Sequence, residues 1–336
     1  MKRTVVITSI ANDQNPILSA IRDGCIVNNV RLIVVGDKKS PDSFQLDGCT
    51  YLSVAAQEQL GYQMGKLLPH NHYSRKNIGY LEAIRAGSEL VIDTDDDNIP
   101  KDGFWAIPEV EWDGPRLESA GWVNVYRYFS DAYVWPRGFP LNQVRKSPPA
   151  LAQAEHRRTK VPIRQGLAED NPDGDAIYRM TGELPALWFR DGPAVALGRN
   201  SICPFNSQNT QFFPGAYPLL YLPAYCSFRM TDIWRSFVAQ VAAWQHDWSI
   251  GFTEATVVQD RNEHDLMKDF REELDGYLHN EAIVEALSAV HLDADPTRIG
   301  DNMIAMYEVL VRKGYVGAEE IPLLAAWLED LKDVSK

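Results

Sequence analysis

Asp93-Thr94-Asp95-Asp96-Asp97 packs four carboxylates into five positions. They follow Leu90-Val91-Ile92, an apolar run bounded by Gly87 and Pro100, which reads as a buried strand ending in acids. Carboxylates this close repel one another, so positive charge must offset them. A hard divalent cation with a preference for oxygen suits the task. Ligands gather at the carboxyl ends of strands in α/β sheets, so a metal-bound diphosphate is the chemistry expected here. A solvated acidic turn capping the next element is the other reading.

Further groups could serve such a site. Arg75 and Lys76 stand just before a helical stretch, where two cations and the helix dipole suit phosphate; a solvated basic turn is the alternative. Asp37 ends the run Arg31 to Gly36 and could bond a base or ribose edge, or serve as a plain turn residue. Asn206-Ser207-Gln208-Asn209-Thr210-Gln211 is expensive to bury unless it bonds sugar hydroxyls or backbone. Asp232 opens a helix, either as its cap or pointing into a site. Asp175 and Arg179 stand four apart and would pair on a helix. Arg145 to Arg164 carries six cations among few apolar residues and reads as an exposed or mobile basic loop, open to an anionic acceptor or merely solvated.

The elements that must position these groups are legible from periodicity. Strands are expected at 4–10, 31–37, 51–54 and 90–92, and helices at 16–25, 56–67 and 77–86. That alternation implies an α/β fold, an open, mostly parallel sheet flanked by helices. Residues 101–150 are rich in aromatics and prolines, which suits pocket walls and loop packing alike. Helical spacing returns at 265–290, 299–313 and 319–333, a C-terminal helical appendage.

The 336 residues carry a net charge of −13, which argues against a nucleic-acid partner. Four cysteines, none in a C-x-x-C, read as reduced thiols in a cytoplasmic protein. No run reaches the length of a membrane span, while peripheral membrane association stays open.

Val34 to Lys39, Leu68 to Tyr80 and Asp93 to Asn98 resemble the STELLO family of glycosyltransferases, and Pro204 to Thr210 and Phe228 to Arg235 extend the likeness over roughly residues 4–275. The pattern is more distantly similar to reversibly glycosylated polypeptides and exostosin-like transferases, which share a DxD motif. The resemblance implies a GT-A fold. A Rossmann-like nucleotide-sugar half would span 1–100, an acceptor half 101–265, and the helical extension 266–336. It implies a nucleoside-diphosphate sugar donor, UDP-linked, with Mn2+ or Mg2+, and a glycan or lipid-linked acceptor.

On that basis Asp97 is the expected metal ligand, with His264 either completing the metal's coordination or serving as a surface helix-cap histidine. Asp95 and Asp96 would meet the donor, Arg75 and Lys76 its phosphates, and Thr8 and Asp37 its nucleoside. Asp232 is the expected base, or a group that steadies the sugar, with Asp175 as second choice. Asn206, Gln208 and Arg235 are expected at the acceptor. A nucleotide-sugar mutase, a nucleotidyltransferase and a non-catalytic scaffold for a glycan synthase are the competing functions.

Overall fold

A computed structural model describes residues 1–335 apart from 42, 183–186, 193 and 262–264. The chain opens with β1 (Arg3–Thr8), α1 (Pro16–Val27), β2 (Arg31–Val35), β3 (Cys49–Leu52), α2 (Val54–Gln59), α3 (Lys76–Arg85) and β4 (Leu90–Thr94). α1 starts where the Asn15 side-chain oxygen accepts from the Ile17 and Leu18 amides at 2.8 and 3.0 Å. Pro16 occupies the first turn, where its missing N–H leaves nothing unpaired.

The strands show why the sheet is covered on both faces. Val5, Ile7, Leu32, Val34, Leu90 and Ile92 pack with Ile17, Leu18 and Ile21 of α1. Val6, Ile33, Val35 and Val91 point the other way, toward Ile78 and Leu81 of α3. Each fully buried aliphatic side chain contributes about 1.5–3 kcal/mol. A Cβ on Gly79 would lie 2.6 Å from Val6 and 2.7 Å from Val35, so only glycine lets α3 sit this close. That close approach brings Arg75 and Lys76 down to the strand ends.

Next come β5 (Asn98–Pro100), β6 (Glu111–Leu117), β7 (Gly121–Trp122), α4 (Tyr126–Phe129), β8 (Glu155–Asp170) and α5 (Ala176–Thr181). They are followed by β9 (Val195–Leu197), β10 (Ser201–Ile202), β11 (Asn209–Phe212), α6 (Thr231–Gln245) and β12 (Trp248–Gln259). α7 (Leu266–Ser288), α8 (Ile299–Arg312) and α9 (Glu320–Val334) end the chain. Among the described residues the main sheet runs β3-β2-β1-β4-β11-β8-β6-β9-β12-β5, with β8 also paired to β12.

This sheet is mixed, which corrects the expectation of a mostly parallel one. β3, β2, β1 and β4 are parallel to one another. β11 is antiparallel to both β4 and β8, and β6–β8, β9–β12 and β5–β12 are antiparallel too. A parallel neighbour needs a long crossover, usually a helix. Between β5 and β11 the helices α4 and α5 have only four and six residues.

The basic stretch is also corrected. Residues 155–164 are the first part of the 16-residue strand β8, not a loop. Arg157 donates to Asp247 at 2.9 Å and Arg158 lies 3.4 Å from Glu111, so part of that charge is matched at the strand's surface. The C-terminal helices share the main core: Leu323 and Trp327 of α9 and Met306 of α8 are fully buried in it. Asp330 of α9 accepts from the Gln63 and Met64 amides at 2.9 Å each. Cys25 and Cys203 are buried, and Cys49 and Cys226 partly so, all as free thiols. Among the described residues no helix is long and apolar enough to cross a membrane.

Candidate active site

The parallel register decides which residues meet. Thr8 lies opposite Val35, and Val6 opposite Asp93. Ser9, Asp37 and Asp96 therefore leave the sheet at one edge, the carboxyl edge where α/β sheets bind ligands. A cavity of about 270 Å³ opens there. Thr8, Asp37, Arg75 and Asp96, four residues singled out from sequence, line it together with Tyr73 and Phe228.

Hydrogen bonds fix the walls. The Ser9 hydroxyl donates to the Asp96 carboxylate. Asp37 accepts from the His72 amide at 3.0 Å and from the Lys38 amide at 2.7 Å. Arg75 is 1 % exposed, and its Nε donates to Gln57 Oε1 at 2.8 Å. Burial pushes the His72 imidazole down to about 4, so the ring is neutral near pH 7. The His72 and Tyr73 rings are near-parallel, and Phe228 stands at a steep angle to both, its ring centroid 5.1 Å from each of theirs.

The acidic tip divides into two parts. Asp93 is fully buried, with Lys76 Nζ 2.7 Å from one oxygen and Arg235 Nη1 2.9 Å from the other. Lys76 also donates to Asp95 at 2.9 Å and to the Thr94 carbonyl at 2.6 Å. Part of the charge compensation assigned to a metal on sequence grounds thus comes from the chain itself. Lys76 is among these acids and is not part of the cavity wall.

Asp95, 39 % exposed, faces outward. Partial removal from water raises its carboxyl; Lys76 pulls it down, and Asp97 and Asp93 push it up. Asp97 accepts one bond, from Gln259 Nε2 at 3.0 Å, while its Oδ1 is buried with no hydrogen-bond partner among the described residues. The side-chain amide of its neighbour Asn98 is likewise unpartnered at both atoms. Burial raises the Asp97 carboxyl too. Buried acceptors without partners are costly, and a bound cation would offset that cost.

Among the described residues no three His, Cys, Asp or Glu side chains converge into a metal-binding group. His264 lies outside the described residues. Asp95 and Asp97 fit a Mg2+- or Mn2+-type ion that takes one or two carboxylates from protein and its remaining oxygens from phosphate and water.

A buried charge network adjoins Tyr73 of the cavity wall. Arg137 donates to Asp232 at 2.8 and 3.1 Å and to Asp173 at 2.9 Å. Asn206 Nδ2 donates to Asp173 at 2.9 Å, and the Ser207 amide donates to Asp232 at 3.2 Å. Burial alone would raise the Asp173 carboxyl, yet the Arg137 guanidinium holds it below its usual range. Asp232 sits in the first turn of α6 and is not the cap, which is Met230. Its amide donates to the Tyr73 hydroxyl oxygen at 2.9 Å.

Asp175 lies apart from the cavity wall. It caps α5 by accepting from the Tyr178 amide at 2.7 Å, and it accepts from Trp135 Nε1 at 2.7 Å. Burial pushes its carboxyl up to about 6. Its side chain does not pair with Arg179, which donates to the Pro172 carbonyl at 2.7 Å. Asn206, Gln208 and Arg235 are 5 %, 5 % and 1 % exposed. Arg235 is occupied internally, by Asp93, the Asn206 carbonyl and Ser207 Oγ, and does not reach an acceptor surface.

Arg137, Asp173, Tyr73 and Gln259 were not singled out for roles from sequence. Arg137, in Pro136-Arg137-Gly138, is a lone charge between aromatic and proline-rich residues, the one signal it offered.

A sequence profile of the STELLO glycosyltransferases matches residues 229–336, from Arg229 through α9. "Probable glycosyltransferase STELLO2" of Arabidopsis thaliana is 28 % identical over 321 residues, 90 % of this chain and 41 % of that protein. The chain is thus similar to the STELLO glycosyltransferases over most of its length. "Probable glycosyltransferase STELLO1" of the same plant is 27 % identical over the same length. The chain thus spans less than half the length of these family members. Among solved structures, glucosyl-3-phosphoglycerate synthase from Mycobacterium tuberculosis, in complex with Mn2+, UDP and glucosyl-3-phosphoglycerate, aligns at a TM-score of 0.39 and 9 % identity. That alignment covers 83 % of this chain and 79 % of the other.

Proposed function

We propose that the chain is a metal-dependent glycosyltransferase of the GT-A type, moving a sugar from a UDP-linked donor to a glycan or lipid-linked hydroxyl. One observation carries this reading: Thr8, Asp37, Arg75 and Asp96 meet around one cavity at the sheet's carboxyl edge, beside the outward-facing carboxylate of Asp95 and the incompletely bonded one of Asp97. The names of the family's plant members support it.

In this reading the nucleoside lies in the cavity against Phe228 and His72. Asp95 and Asp97 would hold Mn2+ or Mg2+, which supplies charge neutralisation to the leaving diphosphate. Lys76 acts indirectly by holding Asp93 and Asp95 in place. Both carboxylate oxygens of Asp232 already accept bonds from Arg137. We therefore assign it to steadying positive charge on the sugar as the glycosidic bond breaks.

Incubation with UDP-sugars, with and without Mn2+, tests the reading. Metal-dependent release of UDP, stimulated by an acceptor, is expected. Isomerised donor or released pyrophosphate would instead identify a mutase or nucleotidyltransferase.

A further inference from the structure

We propose that Tyr73 ties occupancy of the nucleoside cavity to the placement of Asp232, so that a bound donor sets in position the carboxylate assigned to steady the sugar. This rests on the glycosyltransferase reading above. Tyr73 belongs to both places at once. It forms part of the cavity wall, and its hydroxyl oxygen accepts the Asp232 amide at 2.9 Å, across 159 positions of sequence. The first amides of a helix have no partner inside the helix, so this bond meets a need that α6 cannot meet itself.

A second contact runs the same way. Phe228, 43 % exposed, also lines the cavity, and its ring centroid lies 5.1 Å from those of both His72 and Tyr73, at a steep angle to each. The turn Phe228–Met230 leads directly into α6, with Asp232 its second residue. A base resting on these rings would bury their free faces and hold the turn. Arg137 fixes the carboxylate end of Asp232 while Tyr73 fixes its amide end. Loss of the Tyr73 contact leaves the carboxylate bonded but its backbone free to shift. Tyr73 is thus a positioning residue, acting through Asp232.

Hydrogen exchange over residues 228–236, with and without UDP and Mn2+, tests the coupling, with UDP affinity measured in parallel by calorimetry. In the wild type, UDP should slow exchange of this segment by about fivefold or more. Tyr73→Phe should bind UDP within about threefold of wild type, lose that protection, and lower kcat about tenfold at unchanged donor KM. Phe228→Leu should also lose the protection, and it serves if Tyr73→Phe does not fold.

UDP bound at full affinity with no change in exchange would overturn the coupling and leave the transferase reading standing. So would a Tyr73→Phe enzyme that keeps both protection and kcat. Absence of UDP binding would sink the transferase reading, and the coupling with it.

Discussion

Asp93 and Asp97 lie four positions apart and end in opposite situations. Asp93 is fully buried between Lys76 and Arg235, both of its oxygens facing cations. Asp97 has one neutral amide for one oxygen and no partner among the described residues for the other. Counted as charge in a sequence, the two are equal. The fold separates them into a knot that closes the structure and a tip with an unmet acceptor. Buried ion pairs of the first kind add little net stability but are costly to break from one side. Unmet acceptors of the second kind mark where stability has been exchanged for binding.

Breaking the knot should have the largest effect. Arg235→Leu strands Asp93 beside Lys76 and should cost about 3–5 kcal/mol by denaturant unfolding. Pairing it with Asp93→Leu should recover part of that loss. A cost below about 1 kcal/mol would mean that the knot does not hold the fold.

Asp175 is an intermediate case, a buried carboxylate met only by neutral donors. Its folded value of about 6 lies above the ordinary 3.8, so the folded state holds the proton more tightly. Stability should therefore fall as pH rises from about 4 to 6, by up to ~3 kcal/mol. Asp175→Asn should flatten that slope, and an unchanged slope would assign it to other groups.

The open tip should behave in the reverse manner from the knot. Asp97→Asn should leave the melting temperature unchanged or raised. It should reduce the Mn2+-dependent gain in UDP affinity about 10- to 100-fold, ~1.4–2.7 kcal/mol. A folding defect without a binding defect would put Asp97 with Asp93. The smallest change is expected at the cavity wall: Phe228→Ala should weaken uridine and UDP alike by about 0.5–1.5 kcal/mol. A loss confined to UDP would move Phe228 to the phosphate end.

The parallel half of the sheet was legible because β1, β2 and β4 are apolar runs with abrupt polar ends. The other half was not. β8 carries charges along much of its length, since its outer positions pair with Glu111 and Asp247 on neighbouring segments. Those partners stand far away in sequence. The site was legible in its types more than in its partners. Arg75 and Lys76 looked interchangeable, yet neighbours at a helix start point in different directions. Arg75 turns to Gln57 at the cavity, and Lys76 to the acids of β4. Arg137 joins Asp173 and Asp232 over separations of 36 and 95 residues, beyond any local pattern.

Crystals grown with Mn2+ and UDP, read at the manganese absorption edge, give the most direct test of the open tip. The expected map has a single anomalous peak contacting the Asp95 and Asp97 carboxylates, with uridine in the cavity beside Thr8, Asp37 and Phe228. An ion bound away from both carboxylates, or a nucleotide bound outside that cavity, would contradict it.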